Sequence, residues 1–246
     1  MRTAGIDLAA APANTAACVL DWTAVPARPV SLEKGLSDDD LLALTEGVAK
    51  VGIDCPLGWP RDFVRMVGSH AAGRAPGPLD RSRLLYRATD RHVARTGRAP
   101  LSVSTDRIGV TAIRCAGLLA RMKESGRDVT RDGSGDVAEV YPAAALRAAG
   151  LDCRRYKGAG GGQARRRLTR ELLELAQGAL RLEVELTAQS DHLFDAVVCA
   201  TVAGAVVAGL TELPPAEHHD EALEEGWIHV PVRGALSRVG LALRRS

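Results

Sequence analysis

Between Leu193 and Leu210 the chain carries a single charged residue, Asp195, in a run dominated by Ala, Val and Gly. A helix apolar on every side has no face to turn to water, so it belongs at the centre of a fold. Its small side chains predict that it lies close against a sheet. The run approaches membrane-span length, but Asp195 interrupts it and Ala and Gly make it a weak span. The central helix of a soluble domain is therefore expected, with no membrane partner. Ser190 is a suitable N-cap for it. Asp195 then sits where a carboxylate is costly unless it is paired or bound to a metal.

Two further acids stand at the ends of apolar segments, in Gly5-Ile6-Asp7 and Gly52-Ile53-Asp54. Asp is depleted in strands because its side chain competes for backbone hydrogen bonds, so these positions need a reason. The surrounding pattern supplies an order of elements. Thr3–Leu8, turn residues at Pro12–Asn14 and Thr15–Trp22 predict a hairpin, and Pro29–Glu33 a third strand. Ser37 followed by three aspartates starts a helix expected to run to about Lys50. Lys50–Asp54 is a fourth strand, stopped by Pro56 and Pro60, and Asp136–Tyr141 a fifth, ended by Pro142.

Arg61 to Glu124 reads as helices with loops between them, Ile108–Lys123 among them. Gly158–Gly162 reads as a flexible break, Gln163–Leu186 as one charged amphipathic helix, and Ile228–Val232 as a last edge strand. Neither a repeat nor a long linker divides the 246 residues. One domain over 1–246 is expected, with helical insertions around 61–125 and 151–188.

Composition narrows the partners. At 46% hydrophobic residues and a net charge of +2, the chain can build a core but has no overall basic field, so any nucleic-acid contact must be local. Aromatics are 3% of the chain, which gives no platform for stacking bases. Five scattered cysteines without a C-x-x-C pair suggest neither zinc nor disulfides. With no secretory leader pattern at Met1, this fits a reducing cytoplasm. No dimer surface is legible, since the apolar helix is consumed by the core.

Taken together, the quoted segments resemble the ribonuclease H-like superfamily. More narrowly, Gly5-Ile6-Asp7-Leu8-Ala9, Gly52 to Gly58, Glu139-Val140-Tyr141-Pro142 and Ser190 to Ala196 are similar to the DUF429 family of predicted nucleases. Arg87-Ala88-Thr89-Asp90, Tyr156-Lys157 and Glu225-Gly226-Trp227-Ile228 fit it as well, and Asp-x-x-x-Asp-Ala at Asp191–Ala196 looks like the last catalytic segment of RuvC-type resolvases. The resemblance implies an α/β fold with a mixed five-stranded sheet, three antiparallel strands followed by parallel additions, flanked by helices. It also implies Asp7, Asp54 and Asp195 as metal ligands for Mg2+ or Mn2+, with Asp191 and Glu139 in support, and nucleic acid as the substrate.

The chemistry stands without the family. Hydrolysing a phosphodiester needs a more acidic water and a stabilised leaving alkoxide, and two hard cations about 4 Å apart supply both. A bare carboxylate cluster repels itself, and a cation is the simplest remedy. Asp7, Asp54 and Asp191, each taken alone, are also explained by a turn or a helix start; their order along the chain singles them out, and Asp195 in its apolar helix resists that explanation. Lys157 and Arg87 are candidates for substrate phosphate, as are Arg165 and Arg166 in the densest basic segment, although that segment also reads as a solvated helix face. Lys157-Gly158-Ala159-Gly160-Gly161-Gly162 is not a phosphate loop, because its Lys precedes the glycines. His218-His219-Asp220-Glu221 reads as an exposed loop after Pro214-Pro215. Rival readings are an actin- or sugar-kinase-like phosphotransferase, disfavoured by the lack of a Gly-rich turn after Asp7, and a non-catalytic nucleic-acid-binding or assembly module.

Overall fold

The computed structural model describes residues 1–75, 77, 80–95, 97, 100–104 and 108–244. Its centre is a five-stranded sheet built from β1 (Arg2–Asp7), β2 (Ala16–Asp21), β3 (Arg28–Lys34), β4 (Lys50–Ile53) and β5 (Val137–Glu139), in the order β3-β2-β1-β4-β5. β1, β2 and β3 pair antiparallel, and β4 and β5 add in parallel. This is the expected mixed α/β architecture, consistent with a ribonuclease H-like fold.

Helices cover both faces. The first stretch carries α1 (Asp38–Thr45), α2 (Arg61–Ala71), α3 (Arg81–Leu85), α4 (Ala88–Ala94) and α5 (Ile108–Glu124). The second carries α6 (Pro142–Ala148), α7 (Gly162–Leu175), α8 (Val184–Ala188), α9 (Asp191–Val207), α10 (His219–Glu225) and α11 (Ala235–Ala242). Strand alternation divides the core in two. Ile6, Ile53 and Val51 point into one cluster with Leu41 of α1 and Leu118 and Met122 of α5. Ala16, Cys18, Leu20 and Val140 point into the other, built around α9 with Leu168 and Leu172 of α7.

α9 is the buried helix its composition demands, with every residue from Leu193 to Ala205 inside. Its closeness to the sheet comes from the two Gly-Ile-Asp repeats, whose glycines are paired across β1 and β4. A Cβ on Gly5 would stand 2.1 Å from both Ala196 O and Ala200 N, and one on Gly52 would stand 2.5 Å from Cys199 O. Only a residue without Cβ admits a helix backbone at that distance. Since residues two apart share a face of a strand, Asp7 is directed to the same side as Gly5, and Asp54 to that of Gly52. Thr3 confirms the seam from its other end, donating from Oγ1 to Ala200 O at 2.8 Å.

Three expectations change. The helix expected over Gln163–Leu186 is two helices, α7 and α8, because Gln177 and Gly178 take positive φ of 48° and 77° and end α7. The segment that follows lies beside Ala27, which donates to Ala179 O and accepts from Arg181 N. Ile228–Val232 forms only isolated bridges, Ile228 to Glu139 and Pro231 to Thr211, since Pro231 has no N–H to extend a ladder. The stretch at His218 belongs to a 3-10 turn, Ala216–His218, leading into α10 rather than to an open loop. Among the described residues no helix is long and apolar enough to cross a membrane.

Replacing Gly5 with Ala is expected to destabilise the protein by at least about 3 kcal/mol, because two rigid backbones would have to separate. Gly117→Ala in α5, where the added methyl meets nothing within 4 Å, should be neutral or stabilising. Urea unfolding of both variants checks this, and equal stabilities would contradict the close seam.

Candidate functional site

The site lies where β1 and β4 end against the first turns of α9. Asp7 closes β1, Asp54 follows the last residue of β4 and donates its own N–H to Ile6 O at 2.8 Å, and Asp195 stands one turn into α9. One carboxylate oxygen of each lies within 4.8 Å of the others; Asp7 and Asp195 are buried and Asp54 is partly so. Ser190 caps α9 by accepting from Leu193 N, which fixes the helix start and hence the level at which Asp195 enters.

Burial and mutual repulsion dominate the electrostatics. Burial pushes the Asp195 carboxyl up to about 7, the pull of Lys157 opposes that rise, and Asp7 adds to it. Asp54 is raised well above the ordinary carboxylate range, first by burial and then by the Asp7 charge, with Lys157 offsetting part. These acids favour a nearby positive charge because water does not solvate them.

Two partners of the acids escaped the sequence reading. His192 Nδ1 lies 2.5 Å from Asp7 Oδ2. Facing a carboxylate, that nitrogen carries the hydrogen. Tyr156 donates its hydroxyl to Asp195 Oδ1 at 3.0 Å. The signal for His192 was its place three residues before Asp195, on the same helix face. Tyr156 had none beyond adjacency to Lys157, whose ammonium pairs with Asp195 Oδ2.

The supporting residues divide. Asp191 accepts from Gly158 N at 2.9 Å and holds the loop before α7 in place instead of joining the three acids. Glu139 is a correction. It pairs across the sheet with Ile53, not with Asp54, so it faces the opposite side from the acids. There both its oxygens are occupied by the Arg87 guanidinium, at 2.6 Å each, and Oε2 also accepts from Leu57 N.

Arg87 is therefore not free for substrate phosphate. It is 1% exposed, forked between Glu139 and Asp90, and donates to Glu225 O. Glu225 in turn accepts from Arg61 N and Ala88 N, and Thr89 accepts from Ile228 N. The strings Arg87–Asp90, Glu139 and Glu225–Ile228 thus form a buried clasp that anchors the Cys55–Pro60 loop leaving Asp54.

Arg165 is a second correction. It is buried, and its guanidinium donates to Ala188 O, Tyr156 O and Gly158 O. The stretch expected to be a flexible break is thereby tied down, and Gly161 packs under Tyr156 O where a Cβ would stand at 2.2 Å. Arg166 stays on the surface, paired with Glu185 at 2.7 Å.

The sequence model of a family described as "Protein of unknown function (DUF429)" matches residues 5–220. The matched span includes Asp7, Asp54, Lys157, His192 and Asp195 and stops short of Glu225–Ile228. No curated protein and no solved structure matches the chain.

Two outcomes separate the clasp from the acids. Arg87→Gln strands two buried carboxylates and is expected to cost about 3 to 5 kcal/mol in urea unfolding; a variant as stable as wild type would return Arg87 to the substrate side. Asp195→Asn should behave in the opposite way. A carboxyl raised by folding from its ordinary 3.8 to about 7 binds protons that the unfolded chain has released. Wild type therefore loses stability as pH rises from about 4 to about 7, whereas Asn does not titrate. In chelator, the stability of Asp195→Asn relative to wild type should grow between pH 5 and pH 8. A difference that stays flat over that interval would show that Asp195 is held as a settled anion.

Proposed function

We propose that this chain, a member of the DUF429 family, hydrolyses phosphodiester bonds of nucleic acid at a divalent-metal centre held by Asp7, Asp54 and Asp195. The observation that carries this reading is the convergence of three carboxylates, from two strand ends and one buried helix, to within 4.8 Å. An all-oxygen donor set suits a hard cation, Mg2+ or Mn2+. When bound, such cations make water more acidic and stabilise the leaving alkoxide.

The remaining work falls to the chain's own groups. His192 donates to Asp7 and Tyr156 to Asp195, which orients each carboxylate from outside the donor set. The clasp around Arg87 holds the loop after Asp54. Lys157, half exposed at the mouth of the site, is the cation best placed for a phosphate oxygen, with Arg166 further out for the strand backbone. A phosphotransferase would need a Gly-rich phosphate turn after β1. That turn holds Pro12–Asn14 in a 3-10 conformation and no glycine. The five cysteines are free thiols, in keeping with a cytoplasmic setting.

Purified protein with Mn2+ should cut at least one member of a panel of labelled single-stranded, duplex and branched DNA and RNA, and chelator should stop it. Asp7→Asn should lower that cleavage by about a hundredfold or more, since even the groups that merely orient a metal ligand are worth about 10- to 100-fold. Cleavage that survives both chelator and Asp7→Asn would rule out the carboxylate centre.

A further inference from the structure

Asp195 has two oxygens, and the structure assigns each a different kind of partner. Oδ1 accepts from the Tyr156 hydroxyl, which is buried with its ring against Phe194. Oδ2 is met by the Lys157 ammonium. Asp195 itself is fully buried, yet the Lys157 side chain is 53% exposed, so the lysine reaches in from solvent while the tyrosine is part of the core. The backbone on either side of the lysine is fixed: Tyr156 O and Gly158 O both accept from Arg165, and Gly158 N donates to Asp191. The four-carbon stem keeps its own rotatable bonds, so the ammonium can leave Asp195 without a change in the loop backbone.

Resting on the metal reading above, we propose that Lys157 is a tethered counter-ion that competes with the divalent cation for Asp195 Oδ2, and that binding of the cation displaces its ammonium towards the mouth of the site. A metal ion within about 2.0 to 2.6 Å of that oxygen and an ammonium hydrogen-bonded to the same atom would be like charges in direct proximity. The lysine is the one able to leave, because water already reaches about half of its side chain. In exchange, the carboxylates keep a positive partner at every stage, which limits self-repulsion when the cation is scarce. The apparent affinity for metal is then reduced by the fraction of molecules in which the lysine holds Asp195.

Isothermal titration of Mn2+ into chelator-treated protein tests this with no substrate present. Lys157→Met, which keeps the stem without the charge, should bind Mn2+ about tenfold more tightly or better than wild type. Its melting temperature before Mn2+ is added should fall, and the rise on adding Mn2+ should exceed that of wild type. Lys157→Gln should show the same tightening and serves if the Met variant does not fold. Arg166→Gln removes a surface charge that touches none of the acids, so a comparable gain there would reduce the effect to general charge and overturn the competition. Equal or weaker Mn2+ binding by both Lys157 variants, with wild type binding normally, would overturn the inference alone. Absence of Mn2+ binding in wild type and variants alike would instead overturn the metal centre on which it rests.

Discussion

The seam between α9 and the paired glycines of β1 and β4 governs the rest of the structure. Backbone meets backbone there, with Ala196, Cys199 and Ala200 seated where side chains would stand on any residue but glycine. A helix held this close brings its first turn level with the ends of the strands. Asp195 is thereby set opposite Asp7 and Asp54 instead of a side chain's length away. The same two-residue alternation that turns Gly5 and Gly52 to the helix turns Asp7 and Asp54 to it as well. Close packing and carboxylate convergence are thus one geometric fact.

Buried charge serves two distinct ends in this molecule. Around Arg87, each carboxylate has fixed partners: one guanidinium sits between Asp90 and Glu139, backbone N–H groups supply further donors, and the group is cut off from water, although burial still raises the Glu139 carboxyl. Such a cluster is costly to break and gives rigidity. Around Asp195, three acids share one exposed lysine, and burial holds the carboxyls of Asp54 and Asp195 above the ordinary carboxylate range. An excess of buried negative charge of that kind is what the proposed cation would offset. The clasp lies on the opposite side of the sheet from the acids and holds the loop that begins at Asp54, so the settled cluster supports the unsettled one.

Much of this was legible along the chain. The strand order followed from hydrophobic alternation and the position of prolines, and α9 from its uniformly apolar composition. Asp7, Asp54 and Asp195 stood out because acids at strand ends and inside an apolar helix contradict local preference. Register was harder to read. Glu139 and Asp54 both end strands of the same sheet, yet a single residue of offset sends their side chains to opposite faces. Arginine was harder still: Arg87, Arg165 and Arg166 are chemically alike in sequence, and burial makes the first two structural while the third remains on the surface.

What the sequence determined by itself was therefore the five strands, their order along the chain, the buried helix and the three acids that this order singles out. Local preferences are properties of neighbouring residues, and period, caps and turn chemistry are written in neighbours. Only the tertiary structure decided which charges are compensated. Whether Glu139 meets Arg87 or Asp54, whether Arg165 faces solvent or backbone carbonyl oxygens, and whether His192 and Tyr156 reach the acids all depend on contacts between separate elements. The distances from Asp195 and His192 to the acids at the strand ends follow from how closely α9 approaches the sheet, which the absence of a Cβ at Gly5 and Gly52 allows.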